Sequence, residues 1–219
     1  MKFITGFISS LGTKQGIISL VVVLAVSIYL ATIGKKKKLA LSTRDVVAIG
    51  IGAALYGALS IISLPIGPNT SFRIAIALLP IFGALFGPVV GFLVGFIGHA
   101  LNDALMYGSV WWSWVFLSAI IGLFGGLVKF DSRFDVLTGS VTKKHYLLMY
   151  LYSFLSIIFS SVVAFAGDVF LYGEPAQKVW LQIILAGVSN FIVLAVVGIP
   201  VIIALAKLRS KNSNLQIGD

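Results

Sequence analysis

Long apolar runs separated by short polar segments make up most of the chain. The first run covers residues 16–34 and is followed at once by lysines at 35–38. A helix needs roughly 20 apolar residues to cross a bilayer. The pattern therefore predicts one transmembrane helix at 16–34 and six further helices at 44–64, 72–86, 88–105, 112–128, 145–171 and 178–208.

The predicted fold class is all-α, a polytopic membrane helical bundle with a six-helix core and one extra N-terminal transmembrane helix. Residues 44–208 form the core as a single domain, since no long polar stretch divides them. Residues 1–43 supply the extra span and a basic linker, and residues 209–219 supply a tail. A cleaved signal peptide would carry its charge before the apolar run, whereas here the lysines follow it. We therefore interpret 16–34 as a retained span.

Composition and charge exclude a soluble protein. The chain is 59% hydrophobic and only 11% charged, where a soluble domain carries about a quarter charged residues. The net charge of +9 could indicate nucleic acid, but the basic residues flank the apolar runs, as expected beside a lipid bilayer, and form no patch on a soluble face. We therefore predict a multi-pass protein of the cell membrane that binds no nucleic acid.

Most basic residues flank the predicted helices on one side of the membrane. They lie at 35–44, 129–144 and 207–211, and the positive-inside rule assigns that side to the cytoplasm. The N-terminus is then outside and the C-terminus cytoplasmic. The predicted outer loops, 65–71, 106–111 and 172–177, contain little positive charge.

Two ladders of small residues recur at four-residue spacing. The first consists of Gly83, Gly87, Gly91 and Gly95. Small residues let helix backbones approach closely in lipid, so we interpret this ladder as internal packing. The second ladder, on helix 44–64, consists of Gly50, Ala54 and Ala58. Two interpretations stay open for it: internal packing, or an exposed groove that accepts a helix of another protein.

The apolar segment FGPVVGFLVGFIGHALND, residues 86–103, runs into His99, Asn102 and Asp103. An ionisable group that faces lipid costs several kcal/mol, so such a cluster faces protein or a cavity. His99 and Asp103 are one helical turn apart on one face. Two interpretations stay open: the two side chains pair and tie neighbouring helices together, or they offer donors and acceptors to a substrate cavity.

Aromatic residues follow this cluster at the same predicted outer face. Trp111, Trp112 and Trp114 come just after Tyr107. Three tryptophans in four residues cannot all face one direction on a helix, so at least one faces the bundle or a loop cavity, where aromatic rings suit a large flat ligand. The further polar candidates on this face are Asn69, Thr70, Arg73, Asp168 and Tyr172. Their convergence predicts a substrate-binding site.

Known catalytic and metal-binding motifs are absent from the sequence. It contains no GxSxG elbow, no HExxH and no nucleotide-binding loop,. The chain has no cysteine, and the second histidine, His145, is predicted on the opposite side of the membrane from His99. We therefore predict no enzyme, no metal site and no cofactor of its own. Uphill transport would need an ion gradient or a separate ATPase.

Three segments carry a family resemblance that covers roughly residues 44–208. They are VVAIGIGAALYGAL at 46–59, PIGPNT at 65–70, and the 86–103 segment together with WWSW at 111–114. These segments closely resemble membrane S-components of energy-coupling factor (ECF) transporters, and within that group the cobalamin-type S-component. The span at 16–34 is not part of the shared pattern.

The resemblance implies a six-helix bundle that captures a vitamin from outside. Such a subunit docks on a transmembrane T-component and two cytoplasmic ATPases, and it topples in the membrane to release its substrate. The resemblance assigns contact with the T-component to Ala54 and Ala58, with Gly50 in the same row. It favours Asn69, Thr70, Arg73, His99, Asn102, Asp103 and the tryptophan segment as the lining of the substrate site.

The leading hypothesis is a vitamin-binding S-component with cobalamin as the transported ligand, although riboflavin or another planar vitamin satisfies the same features. A second hypothesis is a self-sufficient ion-coupled carrier or channel in which His99 and Asp103 relay protons. A third is an intramembrane enzyme using the same pair, but no nucleophile or metal cluster accompanies it in the sequence.

Overall fold

The computed structural model describes residues 2–37 and 41–215. Residues 38–40 of the predicted basic linker and 216–219 of the predicted tail lie outside the described residues. The helices are α1 Lys2–Leu11, α2 Lys14–Lys37, α3 Thr43–Leu59, α4 Leu78–Phe86, α5 Pro88–Tyr107, α6 Trp112–Gly126, α7 Lys143–Ala166, α8 Ala176–Val193 and α9 Ile199–Leu215. A 3₁₀ turn, Ile74–Ala77, precedes α4, and another, Leu127–Phe130, follows α6. One π turn, Gly167–Leu171, extends α7, and a second, Leu194–Gly198, joins α8 to α9.

The predicted all-α membrane bundle is confirmed. Four described helical segments are long and apolar enough to cross a bilayer: Pro88–Tyr107, Trp112–Phe130, Lys143–Leu171 and Ala176–Lys211. The remaining two core segments are shorter, Ile74–Phe86 and the 17-residue α3. At 1.5 Å per residue, α3 reaches about 26 Å, close to the ~30 Å of a bilayer core. The chain is a multi-pass membrane protein.

A two-stranded hairpin replaces the end of the first predicted core helix. The prediction extended that helix to residue 64, but α3 ends at Leu59, and strands β1 Leu64–Gly67 and β2 Thr70–Phe72 pair antiparallel. Pro65 and Pro68 disfavour helical backbone in the residues before them, and Asn69 turns the chain with φ +47°, a left-handed conformation that asparagine tolerates. The outer loop predicted at 65–71 is therefore an ordered hairpin.

The N-terminal region also differs from its prediction. The span predicted at 16–34 lies within α2, but α1 precedes it and meets it at 75°. Thr13 starts α2, because its hydroxyl oxygen accepts a hydrogen bond from the Gly16 N–H at 3.0 Å,. The two helices pack on α5 and α6 through Phe7, Leu11 and Val23.

Glycines form a tight seam between α4, α5 and α6. A Cβ added to Gly91 would lie 2.2 Å from the Gly122 carbonyl oxygen, and one added to Gly95 would lie 2.5 Å from that of Ser118. Gly83 is as close to the backbone of α6. These three members of the first ladder pack internally, as interpreted. Gly87 does not: it forms the turn between α4 and α5 with φ +106° and has open space around it.

The second ladder lies on the outer surface of the chain. On α3, Gly52, Ala53 and Gly57 are buried, whereas Gly50, Ala54 and Ala58 are exposed. No atom lies within 4 Å of a Cβ added to Gly50. Among the described residues, this ladder is therefore exposed, which favours the exposed groove over internal packing as its interpretation.

The end of the bundle opposite the hairpin is closed by charged groups. The Lys129 Nζ donates to the Leu85 carbonyl at 3.0 Å, and Asp131 contacts Arg133, Lys144 and the buried His145. Hydrogen bonds from Arg133 hold the pKa of Asp131 well below its usual range. His145 and His99 therefore lie at opposite ends of the bundle.

Candidate functional site

A cavity of about 270 Å³ lies at the end of the bundle that carries the hairpin, which we term the hairpin end. It is enclosed by the hairpin, α5, α6, α8, the loop at 108–111 and the connection from α7 to α8. Nine of the twelve residues predicted as a substrate site line it: Asn69, Thr70, Arg73, His99, Asp103, Tyr107, Trp111, Trp114 and Asp168.

Three predicted site residues lie behind this lining instead. Asn102 is buried and its Nδ2 donates to the Gly57 carbonyl at 3.2 Å, so it joins α5 to α3. Trp112 is buried and stacks on Phe96 at 5.9 Å between ring centroids. Tyr172 stacks on Trp111 at 4.5 Å. These side chains support the cavity wall from outside.

Trp111 and Trp114 form one wall of the cavity, which we term the aromatic wall, and both bind Asp168. Asp168 lies in the π turn after α7 and is 1% exposed. Its Oδ1 accepts from Trp111 Nε1 at 2.8 Å and from the Ser113 hydroxyl, and its Oδ2 accepts from Trp114 Nε1 at 2.9 Å. A buried carboxylate requires such partners. Asp168 thus fixes the direction of two indole rings that line the cavity.

The π turn brings this carboxylate to α6. A Cβ added to Gly167 would lie 2.7 Å from the Cβ of Ser113, so only glycine allows α7 to approach α6 this closely. A π turn widens the helix by one residue and is frequent at functional sites.

A buried chain of hydrogen bonds links three helices below the cavity. Ser118 on α6 contacts the Tyr56 hydroxyl of α3 at 2.9 Å and His99 Nδ1 of α5 at 2.6 Å. His99 Nε2 lies 3.4 Å from Asp103, and the other oxygen of Asp103 accepts from the Trp111 backbone N–H at 3.0 Å. His99 and Asp103 therefore pair and tie helices together, and they also line the cavity. Pairing of the two side chains and exposure to a cavity, which the sequence left as alternatives, therefore occur together.

Two cationic side chains line the cavity, and they differ in whether a carboxylate lies next to them. Lys178 Nζ is 2.6 Å from Glu174, one turn away on the chain. Within the part of the chain that the structure describes, the Arg73 Nη1 donates to the Asn102 amide oxygen alone, at 3.4 Å. Among the described residues, no carboxylate lies within 4.0 Å of the Arg73 guanidinium. Arg73 is therefore the cation that is available for an acceptor or anionic group of a ligand.

Helix α8 contributes a side of the cavity that was not predicted from the sequence. Lys178, Gln182, Ala186 and Asn190 of α8 line one side of the cavity, and Glu174, just before the helix, continues their four-residue spacing. Gln182 also donates through Nε2 to the Pro68 carbonyl at 2.9 Å, which joins α8 to the hairpin. A polar row at helical spacing in an apolar helix was the pattern that could have revealed this face. The other lining residues that were missed are Ser71, Ile76, Ser109, Leu117 and Ser118.

Within the described residues, no group of three or more His, Asp or Glu side chains has the arrangement of a metal site. What the cavity offers is hydrogen-bond donors and acceptors, indole rings and one available guanidinium. This set suits non-covalent binding of a polar ring compound.

The Tyr172 side chain gives this region a pH dependence. Burial raises the pKa of Tyr172 to about 12 from 10.0, and its hydroxyl accepts from the Trp112 N–H at 2.9 Å. The folded protein therefore favours the neutral phenol of Tyr172. The contribution of this phenol to the free energy of unfolding is complete below pH 10 and is lost as the pH rises to about 12,.

We expect the unfolding temperature to fall between pH 10 and about 12, and to fall less in Tyr172→Phe. Thermal unfolding followed by tryptophan fluorescence measures this difference, with exposed Tyr107→Phe as the control. An equal fall in both variants would contradict the assignment.

Comparison with known proteins gives a consistent family assignment. Residues 40–207 match the model of the family described as ECF-type riboflavin transporter, S component. The chain is 40% identical over 183 residues to a UPF0397 protein of Streptococcus gordonii. The aligned region covers 79% of this chain and 93% of that protein. No solved structure matches the chain.

Proposed function

The chain belongs to the family of S components of ECF-type riboflavin transporters, and on this premise we propose that it captures a vitamin in the cavity at the hairpin end. The family makes it the substrate-binding membrane subunit of an ECF transporter and implies partnership with a T-component and ATPases. As an S component it is a non-enzymatic subunit. In our proposal, the hairpin end faces outward, the N-terminus is outside, the C-terminus is cytoplasmic, and the protein has no cofactor of its own.

The observation that carries the proposal is the aromatic wall held by Asp168. Trp111 and Trp114 present fixed indole rings to the cavity, which suits stacking on a flat heterocycle. Arg73 can donate to ligand carbonyl or phosphate oxygens, and Gln182 and Asn190 can satisfy ring nitrogens and amides. Because these groups are already oriented, a ligand gains contacts without ordering them first.

Cobalamin and riboflavin are the two ligands that we propose to distinguish. The resemblance of the central segments to cobalamin-type S-components supports cobalamin. The description of the matched family names riboflavin, and the cavity of about 270 Å³ is near the lower end of the ~300–1,000 Å³ usual for small-molecule sites. A corrin with its side chains exceeds this volume. In our proposal cobalamin would extend past the mouth of the cavity or displace the hairpin or the 108–111 loop, whereas the smaller riboflavin needs less displacement.

The partner surface in this proposal is the exposed ladder of α3. Gly50, Ala54 and Ala58 form a smooth strip along which a helix of the T-component can lie with close backbone contact. The strip has few side chains to reorder, so the bound subunit can rotate against its partner at low cost. The two cytoplasmic ATPases supply the energy for the toppling that releases the vitamin inside.

Binding to purified protein tests the proposal. We expect the wild-type protein in detergent to bind one member of a vitamin panel containing cobalamin and riboflavin, and Trp111→Ala to weaken binding about tenfold or more through loss of stacking and of the contact with Asp168. Isothermal titration calorimetry measures both. A well-folded wild-type protein that binds no vitamin would overturn the proposal. Uptake by the chain alone, driven by a proton gradient, would instead support the ion-coupled carrier.

A further inference from the structure

Ser10 of helix α1 hydrogen-bonds to the loop at 108–111 and to the residue that follows it. The Ser10 hydroxyl oxygen accepts from the Val110 N–H at 3.0 Å, and the Ser10 carbonyl accepts from Trp112 Nε1 at 3.3 Å. All three residues are buried. Val110 and Trp112 are the two chain neighbours of Trp111, so Ser10 holds the backbone N–H of the residue before Trp111 and the indole ring of the residue after it.

The fit between α1 and this loop is close along a full turn of the helix. A Cβ added to Gly6 would lie 1.9 Å from the Gly108 carbonyl oxygen. Phe7 and Leu11 pack on the cluster that contains Phe96 and Trp112. Gly6 therefore permits the contact by its lack of a side chain, and the two apolar residues bury the remaining face.

The start of α2 reaches the other half of the aromatic wall. The Gln15 Nε2 donates to the carbonyl of Leu171 at 2.9 Å, and Leu171 ends the π turn that contains Asp168. The N-terminal region thus contacts both segments that meet in the hydrogen bond between Trp111 and Asp168.

We propose that α1 is a brace for the vitamin site and that Ser10 is a positioning residue for Trp111. Ser10 does not line the cavity; it acts through the loop that carries the indole. Without the brace, the 108–111 loop samples more conformations, and ligand binding must order it first. The extra N-terminal region then belongs to the binding apparatus and is more than an added membrane anchor. The ligand-affinity part of this inference rests on the proposed function.

Two neighbouring serines provide a matched test. Ser9 and Ser10 each donate a hydrogen bond to the Gly6 carbonyl at 2.9 Å, but Ser9 is exposed and only Ser10 accepts from Val110. We expect Ser10→Ala to weaken vitamin binding about three- to tenfold, the usual size of one lost hydrogen bond, and Ser9→Ala to leave it unchanged. Two glycines of the same region provide a second test with a larger structural change. In Gly6→Val the new side chain collides with Gly108. Gly12→Ala is the control, because a Cβ at Gly12 lies 3.5 Å from its nearest atom.

Hydrogen–deuterium exchange tests the brace without any ligand. We expect peptides that cover residues 107–112 to exchange faster in Ser10→Ala and Gly6→Val than in the wild type, with no change in Ser9→Ala or Gly12→Ala or in peptides of α8. Equal exchange in all variants would overturn the inference even if the wild-type protein binds a vitamin. If the wild-type protein binds none of the panel, the proposed function fails, and the exchange data still decide whether α1 orders the loop.

Discussion

Ala54→Leu is expected to abolish vitamin uptake by the assembled transporter while leaving the affinity of the isolated subunit within about twofold. The Ala54 side chain is exposed on α3, at the edge of the face that buries Ala53 and Gly57. The substitution therefore leaves the fold and the cavity intact, but it places a branched side chain where a partner helix needs close backbone contact. We expect uptake to fall by an order of magnitude or more in proteoliposomes that contain the T-component and both ATPases.

Ala204→Leu is the matched control, because Ala204 is an exposed alanine on another helix, α9. It should transport like the wild type. Gly50→Leu should reproduce the loss, since no atom of the chain lies within 4 Å of a Cβ at that position. Full uptake by Ala54→Leu in a complex that still contains all its subunits would show that the T-component binds elsewhere.

Asp168→Asn is expected to weaken vitamin binding by about ten- to a hundredfold and to lower thermal stability. Asparagine has the same shape, but one carboxylate oxygen becomes an NH₂ group that must face an indole N–H or a hydroxyl. A buried donor left without an acceptor costs about 1–3 kcal/mol. Either Trp111 or Trp114 then loses its fixed direction, and both rings line the cavity.

The comparison for this variant is Asp131→Asn at the opposite end of the bundle. Asp131 also accepts from neighbouring side chains, but it lies far from the cavity, so its loss should leave the dissociation constant unchanged. Calorimetric titration and fluorescence-detected unfolding of both variants measure the two effects separately. Unchanged affinity in Asp168→Asn would show that the aromatic wall takes no part in binding.

The order of the helices and the convergence of polar residues at one end of the bundle could be predicted because each depends on local patterns. Apolar runs predict the membrane spans. Positive charge marks one end of the bundle, and the polar candidate residues gather at the other end. The roles of individual tryptophans could not be predicted, since Trp111 and Trp112 are neighbours with the same local preference. Only the packing of α7 against α6 decides that Trp111 reaches Asp168 while Trp112 contacts Phe96 and Ser10.

Contacts distant in sequence explain the remaining differences. The hairpin depends on Gln182, more than a hundred residues away, which donates to the Pro68 carbonyl. The bend between α1 and α2 places Ser10 against Val110, and no periodicity in the first fifteen residues indicates that partner. The row of cavity-lining residues on α8 needs no such distant contact to be recognised. Its four-residue spacing is visible in the sequence, so this side of the cavity could have been predicted.

The glycine seam limits the route by which a ligand can reach the cavity. Where Gly91 faces Gly122 and Gly95 faces Ser118, two main chains touch directly and leave no gap that side-chain rotation could widen. A molecule diffusing within the bilayer therefore finds a sealed wall on the flank formed by α5 and α6. The opening past the hairpin and the Glu174–Lys178 pair does not cross this seam, so we expect a ligand to enter there and not between α5 and α6.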